Sequence, residues 1–228
     1  MKILALLYPG FTLIDFVGPA QCFGLVPGVT IETVARRAGP VKVDFGTSIV
    51  ADKSFADIEG APDVFIVPGG PSGAFNVLKD DETLDFVARV GERAGWIASV
   101  CNGSLILGAA GLLRGYRAGC YWYSRNYLSE FGAIPVDDRV VIDRNRATGG
   151  GMTAGVDFGI SMVGTWFGDE VGRLVELTME YAPKPPYGCG RPELAPPETL
   201  AAANAILVNE MPNDVVVEAA RRRLAKAS

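Results

Sequence analysis

The stretch Trp96-Ile-Ala-Ser-Val-Cys101-Asn-Gly-Ser-Leu105 decides the fold, because it predicts a short apolar strand that runs directly into a cysteine. After Cys101, a turn that contains glycine leads into an apolar segment typical of a buried helix. A thiol at such a corner faces the unpaired backbone amides and the positive end of the helix dipole. This setting can lower a cysteine pKa to about 3.5–7.5. Cys101 is therefore a candidate nucleophile; the alternative is an inert buried side chain.

Apolar runs of strand length alternate with helical patterns along the rest of the chain. This alternation is typical of a mostly parallel sheet covered by helices on both faces. We predict strands over residues 3–8, 29–36, 63–68 and 96–101, a hairpin over 41–52, and a strand pair over 140–148. We predict helices over residues 13–23, 80–94, 105–110, 123–131, 153–167, 169–181, 198–209 and 214–226. We expect one α/β domain over residues 1–182, with a Pro-rich loop and C-terminal helices over 183–228 packed on the same domain.

The composition narrows the class of protein. Hydrophobic residues make up 49% of the chain, which is typical of a folded globular enzyme. Twenty-one Lys and Arg residues against 26 Asp and Glu give a net charge of −5, which argues against nucleic acid as a partner. The N-terminal apolar run is too short for a signal peptide, and no segment approaches a membrane span. We therefore predict a cytoplasmic protein with reduced thiols and no membrane partner.

The residue types that are missing restrict the chemistry. The chain has no histidine, which excludes Cys–His and Ser–His catalytic pairs. Its four cysteines lack metal-ligand spacing, so we expect no metal site. Three of them have no polar context and are interpreted as packing residues: Cys22, Cys120 and Cys189.

Two further strand ends carry candidate site residues, because ligands in open α/β sheets bind at the carboxyl ends of strands. Asp15 stands between Ile14 and Phe16, and apolar surroundings would raise its pKa and make it a proton shuttle. The alternative is an acid that satisfies amides at a helix start. Gly69 and Gly70 would let backbone amides approach a developing anion, or would form an ordinary tight turn.

The glycines at 149–151 precede a predicted helix and could bind an anion. They lack the spacing of a dinucleotide fingerprint and the lysine of a phosphate loop, so we interpret them as close packing, with Thr153 as helix N-cap. Trp122 and its neighbours Tyr121 and Tyr123 either line a pocket or pack in the core.

Five motifs in this order and spacing give the chain a resemblance to the ThiJ/PfpI superfamily, and within it to the isonitrile hydratase branch. The likeness runs from the first predicted strand through residues 180–186, Glu-Tyr-Ala-Pro-Lys-Pro-Pro. The motifs are Asp15-Phe-Val-Gly-Pro19, Val67-Pro-Gly-Gly70, Ser99-Val-Cys-Asn-Gly-Ser104, Leu107-Gly-Ala-Ala-Gly-Leu-Leu113 and Thr148-Gly-Gly-Gly-Met-Thr-Ala-Gly-Val-Asp157.

The resemblance implies a flavodoxin-like three-layer sandwich, a homodimer, and a cysteine nucleophile, Cys101, on a strained elbow with Asp15 as its acidic partner. An aspartate in this place is similar to the hydratase branch, since most other branches carry glutamate. Peptidase-like and amidotransferase-like relatives have histidine where this chain has Asn102. The hydratase branch usually has threonine at Asn102, and His-Trp where this chain has Tyr121 followed by Trp122.

The resemblance and the residues together predict hydration of an isonitrile to an N-substituted formamide, without metal or organic cofactor. Cys101 would form a covalent thioimidate and Asp15 would move protons. The backbone amides of Gly70 and Asn102 would stabilise developing charge. An apolar substrate group would contact Ile14, Phe16 and Trp122. Two alternatives stay open: a glyoxalase- or deglycase-like enzyme that acts on dicarbonyls, and a non-catalytic thiol or electrophile sensor.

Overall fold

A seven-stranded sheet lies at the centre of the computed structural model, which describes residues 1–226. The strands are β1 (Lys2–Leu6), β2 (Thr30–Ala35), β3 (Gly39–Lys42), β4 (Ser48–Ala51), β5 (Lys53–Ser54), β6 (Val64–Val67), β7 (Trp96–Val100), β8 (Arg117–Ala118), β9 (Ile134–Pro135), β10 (Val140–Asp143) and β11 (Arg146–Gly149). The helices are α1 (Leu13–Gly24), α2 (Ser72–Val77), α3 (Asp81–Gly91), α4 (Gly103–Ala109), α5 (Ala154–Phe167), α6 (Asp169–Thr178), α7 (Pro197–Glu210) and α8 (Asp214–Lys226).

The strand order in the central sheet is β10-β11-β7-β6-β1-β2-β5. All neighbours in it are parallel except the β10–β11 pair, which is antiparallel. Strands β1, β6 and β7 lie in the middle and are apolar almost throughout, because helices cover both faces of these strands. The strand order reverses at β1: β2 is added on one side of β1, whereas β6 and then β7 are added on the other side. The carboxyl ends of β1 and β6, on either side of this switch point, form a crevice.

Helices cover the two faces of the sheet and form two apolar cores. On one face, α1 packs against α5, with Phe23 and Phe158 in edge-to-face contact. On the other face, α2, α3, α4 and α8 enclose a second core that includes Leu84, Ile106 and Val216. The predicted three-layer α/β fold with a mostly parallel sheet and C-terminal helices is confirmed.

The local predictions hold at most elements, but the two-residue strands β5, β8 and β9 were not predicted, because they are too short to show a pattern. The predicted hairpin is the antiparallel pair β3–β4, and β10–β11 is the predicted strand pair. The helix predicted over 123–131 is a 3₁₀ helix (Arg125–Phe131), which ends at Gly132 in the left-handed conformation. Helix α2 was not predicted, because six residues are too few to show helical periodicity. Thr153 stands at the N-cap position of α5, but its side chain caps no amide there.

The two C-terminal helices differ in how much of their surface is buried against the domain. Helix α7 has no buried residue. Helix α8 packs Val216 and Ala219 into the second core, and Arg222 contacts Asp81 at 3.2 Å. The boundary predicted at residue 182 stays a prediction. Within residues 1–226, no helix combines the length and the apolar character that crossing a bilayer requires.

Candidate active site

Cys101 lies at a sharp corner between β7 and α4. Its φ of 59° is in the left-handed region, which a residue with a side chain adopts at an energetic cost. The corner is held from the neighbouring strand, since the Cys101 amide donates to the carbonyl oxygens of Gly149 and Gly150 at 3.1 and 2.8 Å. Helix α4 starts close beneath β6, where a Cβ at Gly103 would collide with the Val67 carbonyl oxygen. The backbone at Cys101 is therefore strained, as the resemblance implies.

Asp15 brings a carboxyl group from the first turn of α1 to this corner. Its side chain is fully buried, and Oδ2 accepts the Gly69 amide at 3.0 Å. Oδ1 is also buried and has no hydrogen-bond partner within residues 1–226. Burial raises the pKa of Asp15 from 3.8 to about 7, although hydrogen bonds from Gly69 and from the Cys101 thiol oppose this rise. The predicted rise in pKa is confirmed, and Asp15 can exchange a proton near neutral pH.

The electrostatics of Cys101 differ from the expectation. Burial raises the pKa of the Cys101 thiol well above its usual range, and the nearby Asp15 and Cys120 add to the increase. The backbone amides of Met152 and Asn102 face the thiol and lower this pKa, but by less. The predicted pKa lowered by the helix dipole is therefore wrong for this enclosed site. Helix α4 has seven residues, and its dipole does not outweigh desolvation beside a carboxylate.

The two glycines after β6 have different positions in the site. A Cβ at Gly69 would lie 2.5 Å from the Asn102 nitrogen and 2.9 Å from Asp15 Oδ2. The backbone at Gly69 therefore lies too close to Asn102 and Asp15 for any side chain. The Gly69 amide is already used by Asp15. The amide of Gly70 donates to no acceptor within residues 1–226. Gly70 therefore stays the predicted donor to a developing anion, while the Gly69 amide, to which the sequence assigned no separate role, orients Asp15.

Asn102 directs its backbone and its side chain to different places. Its backbone amide faces the sulfur of Cys101. Its side chain is fully buried, and Nδ2 contacts the Met211 sulfur at 3.1 Å while Oδ1 accepts from the Cys120 thiol at 3.7 Å. The asparagine amide thus contacts the segment between α7 and α8 and does not face the thiol.

Tyr8 belongs to the site although the sequence analysis did not select it. Its buried hydroxyl donates to the Pro68 carbonyl oxygen at 2.7 Å. This carbonyl and the Gly69 amide belong to the same peptide group, so Tyr8 and Asp15 hold that peptide from opposite ends. The sequence does carry a signal for Tyr8, because this residue stands two positions after β1, a strand that ends at the switch point.

Met152 was also missed, and its backbone amide faces the Cys101 thiol. Its φ is +20°, an uncommon value for a residue with a side chain, and it directly follows a run of three glycines. The same run packs closely, since a Cβ at Gly151 would lie 2.6 Å from the Tyr121 ring. The glycine run therefore packs closely, as we predicted. The Met152 amide that follows it approaches the Cys101 thiol, and we had not predicted this second role for the segment.

A cavity of about 530 Å³ borders the glycine run at 149–151, but neither Cys101 nor Asp15 belongs to its described wall. Tyr121, Trp122 and Met152 line it together with several charged side chains. Arg191 of the Pro-rich loop is one of these, and it contacts Asp137 at 3.2 Å.

Ile14 and Phe16 are not part of the described wall of this cavity, and their predicted contact with substrate stays a prediction. Ile14 is 37% exposed, and Phe16 packs against both apolar cores. Each step along a helix turns by about 100°, so residues next to Asp15 in sequence point away from it. Trp122, by contrast, lies in the wall.

Comparison with known proteins identifies relatives of this chain both in sequence and in structure. The DJ-1/PfpI family model matches residues 1–165. The chain is 41% identical to an isonitrile hydratase from Pseudomonas putida over 196 residues, which cover 86% of this chain and 85% of that protein. A crystal structure of a ThiJ/PfpI family protein from Pseudomonas syringae superimposes with a TM-score of 0.92 at 42% identity, covering 96% of this chain and 90% of the other. A glutathione-independent glyoxalase from Caenorhabditis elegans is 29% identical over 63% of this chain and 76% of its own.

Proposed function

The chain belongs to the DJ-1/PfpI family, and we propose that it is a cysteine-dependent isonitrile hydratase, which converts an isonitrile and water to an N-substituted formamide. One observation carries the proposal: a buried carboxyl group with a pKa of about 7 lies beside a buried thiol, since Asp15 Oδ2 and Cys101 Cβ both face Gly69. Such a pair can transfer a proton from sulfur to oxygen and later return it. The likeness to the Pseudomonas putida isonitrile hydratase supports the choice of substrate class.

In the first step, the Cys101 sulfur attacks the terminal carbon of R–N≡C while Asp15 accepts the thiol proton. The attacked carbon gains an electron pair, and Asp15 returns the proton to it. The product of this step is the thioimidate R–N=CH–S–Cys101. Because the thiol keeps its proton in the free protein, Asp15 has to be ionised when the substrate enters.

In the second step, water adds to the thioimidate carbon. Asp15 accepts a proton from this water and passes it to the nitrogen, which gives R–NH–CH(OH)–S–Cys101. Collapse of this adduct breaks the C–S bond and releases R–NH–CHO and the thiol. The sum is one isonitrile and one water in, and one formamide out.

Backbone amides would stabilise the charge that develops during both steps. We assign this role to Asn102, whose amide faces the sulfur, and to Gly70, whose buried amide has no acceptor within residues 1–226. Amides fixed in an apolar enclosure need no reorganisation during the reaction. Trp122 and Tyr121 would contact the apolar part of R in the cavity that they line.

The likeness to a glyoxalase makes a dicarbonyl substrate the second candidate. The same thiol could add to an aldehyde carbon. The absence of histidine from the chain and the aspartate at position 15 favour the hydratase. A thiol or electrophile sensor is the third candidate.

We also propose that the protein acts as a homodimer. Helix α7 supports this, because it has no buried residue while Ile206 and Val208 are 64% and 55% exposed. A helix with so much apolar surface would gain stability by packing against a second copy.

Formamide production from a simple aryl isonitrile tests the proposed function. We expect turnover by the wild-type protein and none by Cys101→Ala, while Cys189→Ala, which alters a half-exposed thiol, retains the wild-type rate. Turnover that persists in Cys101→Ala would overturn the covalent mechanism. Turnover of a dicarbonyl without any turnover of isonitriles would favour the second candidate.

A further inference from the structure

A second cavity, of about 560 Å³, lies at the carboxyl ends of β1 and β2. Helix α2 and strand β3 border it, and it is lined in part by Tyr8, which separates it from Asp15 and Cys101. Neither of these two reactive residues belongs to its described wall. We name it the Tyr8 cavity. Its place in the fold is one where open α/β sheets bind ligands.

The floor of the Tyr8 cavity is apolar. It is formed by buried side chains that belong to the second core, among them Leu7, Val41, Phe55 and Val77. An occupant that covers these side chains would remove apolar surface from water, which favours a ligand with an apolar body.

The rim of the Tyr8 cavity is positively charged, although the protein carries a net charge of −5. Three cations line it, Arg36, Arg37 and Lys42, against the acid Asp80.

Arg36 is paired with Asp80, and it also contacts Glu82 at 3.3 Å. The exposed Arg37 and Lys42 have no ion-pair partner among the residues of the described chain. Their charges are available to an anion at the mouth of the cavity.

We propose that the Tyr8 cavity binds a small organic carboxylate with an apolar tail, distinct from the substrate of the Cys101 site. The tail would cover the floor, and the carboxylate would lie between Arg37 and Lys42. Two separate cations suit a carboxylate, since charge-assisted hydrogen bonds from both can reach its two oxygens.

Calorimetric titration of the full chain with octanoate tests this proposal without reference to turnover. We expect saturable binding with a Kd of about 1 mM or tighter, and weaker binding as salt screens the charges. The neutral analogue 1-octanol should bind at least about fivefold more weakly. Equal binding of octanol, or no binding of octanoate, would overturn the proposal.

Surface variants locate the site without disturbing the core. The double variant Arg37→Gln/Lys42→Gln should weaken octanoate binding about five- to tenfold, since each exposed cation contributes modestly. Lys79→Gln is the matched control, because this exposed lysine lies outside the described wall. Binding that is unaffected by the double variant would overturn the proposal.

Three more variants distinguish the Tyr8 cavity from the Cys101 site. Asn76 is exposed at the wall, so Asn76→Trp should block entry while Asn76→Ala should not. Cys101→Ala should bind octanoate as the wild type does. Loss of binding in Cys101→Ala would place the carboxylate at the catalytic site and overturn the proposal.

Discussion

The carboxyl group of Asp15 and the thiol of Cys101 interact in one enclosure, where Asp15 is 0% and Cys101 is 3% exposed. The Asp15 carboxylate raises the energy of ionising the thiol, because little solvent is present to screen the two charges, whereas the neutral thiol lowers the pKa of Asp15. The site therefore holds a neutral thiol beside a carboxyl group that ionises near neutral pH. In the proposed mechanism a nucleophile forms when Asp15 takes the proton from sulfur, and the following predictions depend on this step.

Asp15→Asn should fold normally and lose turnover by about 10²- to 10⁴-fold, because asparagine cannot take the thiol proton. Formamide release from an aryl isonitrile is the measurement. Glu59→Gln, a change at an exposed acid, serves as control and should retain the wild-type rate. A rate near that of the wild type in Asp15→Asn would remove Asp15 from the mechanism.

The pH profile of kcat/KM should rise through about pH 7. The proposed mechanism needs ionised Asp15, and the pKa of Asp15 is about 7 in the folded protein. Activity should thus be low at about pH 6 and approach a plateau at about pH 8. A profile that is flat over this range would show that the ionisation of Asp15 does not control the reaction.

Asp15 should also destabilise the protein above its unfolded-state pKa. The folded pKa is raised from 3.8 to about 7, so the folded state binds more protons between these values and stability falls as pH rises through them. The full cost at about pH 8 corresponds to at most about 4 kcal/mol.

Asp15→Asn should therefore have a higher free energy of unfolding than the wild type at about pH 8, and the difference should shrink towards pH 4. Urea denaturation at both pH values measures it. A variant that is less stable than the wild type at pH 8 would contradict the raised pKa.

Among the three buried cysteines, Cys101 should react first with iodoacetamide. Burial raises the pKa of Cys22 to about 11 and that of Cys120 to about 12, and neither thiol has an acid beside it that accepts its proton through a hydrogen bond. The half-exposed Cys189 should be labelled independently of these three.

Peptide mass spectrometry over time gives the order of labelling. In Asp15→Asn, the advantage of Cys101 over Cys120 should disappear, because the acceptor of its proton is gone. Equal labelling of the three buried thiols in the wild type would argue against an activated nucleophile.

Tyr8→Phe should shift the pH profile of kcat/KM upwards by a few tenths of a pH unit to about one unit. The hydroxyl holds the peptide whose amide donates to Asp15, and a weaker donor stabilises the carboxylate less. The plateau of kcat at high pH should change little. Tyr187→Phe, at an 88% exposed tyrosine, is the control. An unshifted profile with a lower plateau would assign Tyr8 a structural role alone.

The sequence located the reactive corner because local patterns encode it. An apolar strand, a cysteine and a glycine turn define the elbow at Cys101. The raised pKa of Asp15 was also predicted, but the burial that causes it comes from tertiary packing, since the sequence neighbours Ile14 and Phe16 point away. The contact of Tyr8 with Pro68 was not predictable, since these residues are sixty positions apart and no local pattern joins them. The direction of the Cys101 pKa shift was predicted wrongly for a related reason. Desolvation sums contributions from the whole enclosure, whereas the helix dipole can be read from a single segment.

The sequence by itself determined the alternation of strands and helices and the family, and it selected Cys101 and Asp15 as candidate site residues. These follow from periodicity and motif order, which are properties of neighbouring residues. Tertiary structure alone decided that Gly69 orients Asp15, that Met152 presents its amide to the sulfur, and that Ile14 and Phe16 point away. The physical reason is that parallel strands bring distant segments to one sheet edge, where the direction of each amide and side chain is set by packing between elements.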